Sequence, residues 1–107
     1  MTSEGTASGR FTRAIQRRDL FQAEMAMREM HQVSLVLALD YLALLARQRP
    51  DRFDRAALRW HGRLECEART LTLAESQLAL AALGSLRGGD PQALQILTRL
   101  AQSSRRT

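Results

Sequence analysis

Two histidines, His31 and His61, and one cysteine, Cys66, carry most of this chain's capacity for nucleophilic or metal chemistry. Cys66 stands between Glu65 and Glu67. Negative neighbours disfavour the thiolate, so this cysteine is not set up as a nucleophile. His61 and Glu65 are four apart and share a helix face, the spacing at which two side chains can hold one metal ion. The di-metal pattern of helical bundles needs Glu-x-x-His pairs and further carboxylates. Glu29 precedes His31 by two, and no glutamate lies three before His61. His61 and Glu65 therefore read as solvated polar residues. Neither histidine sits in a recognisable Ser–His–Asp context. Gly88-Gly89 lacks the lysine and the strand that a phosphate-binding loop requires, and reads as a helix stop. The expectation is no catalytic residue, no cofactor, no metal, no small-molecule substrate and no enzymatic activity.

The remaining chemistry is charge. The 107 residues hold 16 cationic and 11 acidic side chains, a net charge of +5, and every cation is an arginine. Such a surface favours anionic partners. Arg10, Arg13 and Arg17 share one helix face, with Arg18 beside them, and no acid lies between residues 5 and 18. Arg52, Arg55, Arg59 and Arg63 form a second stripe at spacings of 3, 4 and 4. Asp51–Arg55 and Arg63–Glu67 are four apart and are expected to neutralise part of it. Arg10, Arg13, Arg17, Arg18, Arg52, Arg55 and Arg63 are the candidates for contact with an anionic partner, and the stripe starting at Arg10 is the less neutralised.

These side chains need helices to position them. Strand-like alternation is absent, Ala and Leu dominate, and start and stop signals divide residues 10 to 102 into six helices. The first runs from about Gly9 to Arg17. Asp19, with Gln22 as reciprocal partner, caps the second, which runs to about His31. Ser34 caps the third, which ends before Pro50. Pro50-Asp51 opens the fourth, to about Arg69. Thr72 and Glu75 make a capping box for the fifth, which Gly88-Gly89 stops. Asp90-Pro91 starts the sixth. The expected fold is all-α, a compact bundle of successive antiparallel αα-hairpins around a central apolar helix, residues 35–48. Residues 1–8 are expected to be a flexible N-terminal segment, 9–102 a single domain and 103–107 a flexible basic tail.

The face of each helix follows from its spacing. Phe53, Ala57, Trp60, Leu64 and Ala68 form the core stripe of the fourth helix, anchored by Trp60. The third helix is apolar nearly all round apart from Asp40 and Arg47. A hairpin turning at Arg49-Pro50 sets Arg59 opposite Asp40, so an Asp40–Arg59 ion pair is expected to fix the register. Met25, Met27 and Met30, in a helix with Ala23, Ala26 and Phe21, read as adaptable core filler. On the sixth helix Ala93, Leu94, Ile96, Leu97 and Leu100 face the core. The fifth, Leu73 to Leu86, is apolar on nearly every side, which points to homodimerisation.

No run reaches the ~18–20 apolar residues of a membrane span. One cysteine excludes an intramolecular disulfide and a four-cysteine zinc site. Met1 to Ser8 is polar with Glu4 and has no secretory pattern, and a lone thiol suits a cytoplasmic protein. The expectation is a non-enzymatic helical interaction module, an adaptor or regulatory subunit. It docks a protein partner or itself through apolar helical surface rimmed by arginines. The alternative is a nucleic-acid-associated accessory protein that holds phosphates with its arginine stripes.

Overall fold

The computed structural model describes residues 6–103. They form α1 (Ala7–Gln16), α2 (Leu20–Glu29), α3 (Leu35–Gln48), α4 (Pro50–Glu67), α5 (Leu73–Arg87) and α6 (Pro91–Ser103), with no strand among them. Three successive hairpins, α1–α2, α3–α4 and α5–α6, pack into an all-α bundle. α3 is central and touches every other helix. The shortest dimension is 21 Å, the thickness of two helical layers. No helix among the described residues is long and apolar enough to cross a membrane.

The helix starts follow the capping residues. Ser34 accepts from the Leu37 N–H at 3.1 Å. Thr72 and Glu75 close both halves of their box, at 3.1 and 2.9 Å. Asp19 accepts from the Gln22 N–H at 3.0 Å without the reciprocal bond from the Gln22 side chain. α1 begins at Ala7, earlier than the Gly9 start expected, because Thr6 Oγ1 accepts from the Gly9 N–H at 2.9 Å. Ala7 and Ser8, expected in the flexible segment, therefore belong to the helix. Residues 1–5 and 104–107, most of the expected flexible ends, lie outside the described residues.

The first and last hairpins turn by one shared device. After α1, Arg18 donates to Ile15 and Asp19 to Ala14, with Arg18 at φ +58°. After α5, Gly89 donates to Leu86 and Asp90 to Ser85, with Gly89 at φ +91°. This is the Schellman closure, whose left-handed residue is most often glycine. In both turns the aspartate that completes the closure also caps the next helix.

The main core joins α3 to α6. Leu39, Leu42, Leu45, Phe53, Leu64 and Leu97 are its most deeply buried side chains. Trp60 is 3% exposed, and its indole N–H donates to the Leu35 carbonyl at 2.9 Å. A second, smaller cluster of Phe11, Ala14, Ala23 and Ala26 holds α1 on α2, and Tyr41 packs against both clusters. Met27 and Met30 pack against it as expected. Met25 does not: it is 39% exposed, and Phe21 67%, because the buried face of α2 is set by Ala23 and Ala26. Ile96 also points outward, since Ala93, Leu97, Leu100 and Ala101 fill the buried arc of α6.

Candidate protein-docking groove

An open groove of about 410 Å³ lies where α2, α3 and α4 meet. Its floor is apolar, built from Met27, Ala38, Tyr41, Leu42, Ala56 and Trp60. Arg59 and Arg63 stand at its edge. A smaller cleft of about 290 Å³, with Glu24, Arg28 and Arg52, continues it past Tyr41 and Met27. The periodicity of α4 builds this arrangement. Ala56 and Trp60 turn to the core, and Arg59 and Arg63 fall just outside that stripe.

A three-helix polar link fixes one wall. Tyr41 donates its hydroxyl to Glu24 Oε2 at 2.7 Å, and Arg52 Nη2 lies 2.5 Å from the same oxygen. The Tyr41 phenol is pushed up to about 12 by burial, and further by its bond to Glu24 and that carboxylate's charge. Arg52 and Arg59 pull it back. Arg63 donates to Glu67 at 2.9 Å, the i,i+4 pair expected from the sequence. None of the ion pairs among the described residues uses Arg59.

The expected Asp40–Arg59 pair does not form. Arg59 shares the side of α3 that carries Tyr41 and Ala38. Asp40 is one residue, or 100°, round the helix and faces Arg18, Arg47, Asp90 and Pro91 across a separate groove of about 360 Å³. The antiparallel register is close to that expected, but the azimuth differs, and azimuth decides which side chains meet. No cation among the described residues pairs with Asp40, and burial pushes its carboxyl pKa up. Asp51 pairs with Arg49 through two bonds, at 3.0 and 2.9 Å, and not with Arg55, because both sit at the α3–α4 turn.

The arginine stripes are partly neutralised. Arg10 pairs with Glu29 across the α1–α2 hairpin, so the first stripe is less free than its local sequence suggests. Arg52 takes Glu24 and Arg63 takes Glu67. Arg13 is half-buried, and Arg17, Arg18 and Arg55 are exposed. The described pockets bring Arg18 together with Arg47, Arg28 with Arg52, and Arg59 with Arg63.

His61 departs from expectation. It is buried between α4 and α5, and does not lie on a solvated face. Its Nε2 lies 2.9 Å from Ser76 Oγ and 3.2 Å from the Ser76 carbonyl oxygen. A carbonyl only accepts, so Nε2 carries the hydrogen. The Ser76 hydroxyl then donates to Glu65 Oε2 at 2.7 Å. Serine, histidine and carboxylate have met, yet the serine proton goes to the carboxylate and the imidazole is not its base. The arrangement ties α4 to α5. The i,i+4 spacing of His61 and Glu65 was its only trace in the sequence, since Ser76 arrives from another helix. Among the described residues no three His, Cys, Asp or Glu side chains converge as metal ligands. Comparison of the chain with protein-family models, curated proteins and solved structures finds no match.

Proposed function

We propose that the protein is a non-enzymatic helical interaction module, an adaptor or regulatory subunit, that docks a protein partner in the α2–α3–α4 groove. The observation that carries this reading is an open apolar floor with Arg59 and Arg63 at its edge. A groove of that kind suits a partner helix that presents a large apolar anchor flanked by Asp or Glu. Arginine and aromatic side chains are also the commonest energetic centres of protein interfaces. The Ser76 hydroxyl gives its proton to Glu65 and accepts from His61, which supports a role without covalent catalysis. A cytoplasmic setting fits the free thiol of Cys66.

Co-purification from the native host with two baits tests the reading. The wild-type chain is expected to retain a partner that the Arg59→Glu/Arg63→Glu double variant loses, with both baits melting at similar temperatures. Trp60 is the single tryptophan and lines the floor, so its emission reports docking directly. Equal recovery by both baits, or an unchanged Trp60 emission on adding the recovered partner, would remove the groove from the function.

A second reading rests on the α1–α2 turn. Arg17 and Arg18 are exposed there, and Phe21 projects to solvent from the first turn of α2. Cations beside an aromatic face can hold phosphates and stack a base. Under this reading single-stranded nucleic acid binds at low salt and is released by orders of magnitude between low and moderate salt. No binding at low salt ends it.

A further inference from the structure

We propose that the groove between the α1–α2 and α5–α6 turns binds a short apolar peptide with free ends, its ammonium at Asp40 and its carboxylate at Arg18 and Arg47. This groove shares no lining residue with the α2–α3–α4 groove, so either reading can fail without the other.

One face of α3 makes the floor. Asp40, Ala43, Leu44 and Arg47 follow at spacings of 3, 1 and 3, so they share that face, and all four line the groove. The charges stand at its ends, with alanine and leucine between them. Ile15, Leu86 and Leu94 add apolar walls. The Gln48 side chain donates to the Arg18 carbonyl at 2.8 Å, which sets Arg18 at the Arg47 end. The groove therefore has a negative end, an apolar middle and a positive end.

The fold itself does not use these three charges. Among the described residues no ion pair involves Arg18, Asp40 or Arg47, and none of their side chains makes a hydrogen bond. A half-buried carboxylate without a partner is costly, and burial raises the Asp40 pKa. Asp90 lines the groove too, but it accepts from the Gln92 N–H as the cap of α6. Arg18 stands at φ +58°, where glycine is favoured, and Gly89 takes that place in the matching turn. The turn does not account for an arginine there; an anion for its guanidinium does.

The occupant follows from charge and length. Asp40 and Arg47 are two helical turns apart, roughly 10 Å at about 1.5 Å per residue. Three residues of extended chain cover the same distance at about 3.4 Å each. The volume, about 360 Å³, is at the small end for ligand sites. An apolar tripeptide meets all of this. Its ammonium pairs with Asp40, its side chains lie on Ala43 and Leu44, and two guanidinium groups take its carboxylate. A lone cation or a lone anion would satisfy one end only.

Nuclear magnetic resonance titration of the isotope-labelled full chain with the tripeptide Ala-Leu-Ala at neutral pH tests the proposal. Shifts that saturate by roughly 10 mM are expected in amides of residues 43–47 and 86–94, and not in those of residues 56–63. Acetylating the peptide's amine or amidating its carboxylate is expected to weaken binding at least about tenfold each. The dipeptide Ala-Leu, too short to reach both ends, is expected to bind at least about tenfold more weakly as well. In Asp40→Asn the free and acetylated peptides are expected to bind alike. In the Arg18→Gln/Arg47→Gln double variant the free and amidated peptides are expected to do so. Native helical content by circular dichroism will show that the variants fold. No shift at that concentration overturns the proposal. So does binding indifferent to the blocking of either end, or shifts confined to the α2–α3–α4 groove.

Discussion

At the scale of single residues, the informative group is Asp40. It is a half-buried carboxylate in a basic protein, and no ion pair among the described residues reaches it. Burial raises its folded pKa above 3.8, so the folded chain holds the proton more tightly than the unfolded chain. Stability therefore falls as pH rises from 3.8 through the folded value, and the cost persists above it. Asp40→Asn removes this term. The variant is expected to melt with the wild type below about pH 3 and above it at pH 7. Thermal unfolding followed across that range checks it, and parallel curves for the two proteins would mean that a cation holds Asp40 in solution. Arg18 and Arg47, which line the same groove, are the candidates for that cation.

Among the elements, α5 shows how local and tertiary signals divide. Its start is local: Thr72 and Glu75 satisfy each other's backbone N–H groups whatever surrounds them. Thr72→Ala is expected to cost about 1 kcal/mol in chemical denaturation, the usual worth of such a cap. A loss near zero would show that Glu75 alone holds the end. The buried face of α5 is not local. Its sequence is apolar nearly all round, and only contact with α3, α4 and α6 selects Ser76, Ala79, Ala82, Leu83 and Leu86 for the interior. Gly89 and Arg18 make the same point about turns. The glycine announces a left-handed residue, whereas the arginine gives no sign that it occupies the equivalent place.

Across the whole molecule, stability is divided unequally. The main core draws on four helices, while α1 and α2 share a small cluster of one phenylalanine and three alanines. The α1–α2 hairpin is tied to the rest through the Tyr41–Glu24–Arg52 link and the bond from the Gln48 side chain to the Arg18 carbonyl. It is expected to open as a unit before the bundle unfolds. Hydrogen exchange should then protect amides of residues 7–29 less than those of α3 and α4, and uniform protection would show that the molecule unfolds in one step. The groove of the proposed function lies against this hairpin through Met27, so opening would remove part of its floor.

The sequence alone determined the all-α class, the helix order, most helix ends, the centrality of α3 and the core stripe of α4. These rest on periodicity, capping and proline or glycine punctuation, which act within a few residues. Tertiary structure decided the partners. The azimuth of α4 on α3 separated Asp40 from Arg59 and opened the groove beside Arg59. The approach of α5 carried Ser76 to His61, and the α1–α2 hairpin gave Arg10 to Glu29. A helix fixes which of its own residues share a face. Which face meets which neighbour depends on how all six pack at once, and no local spacing carries that information.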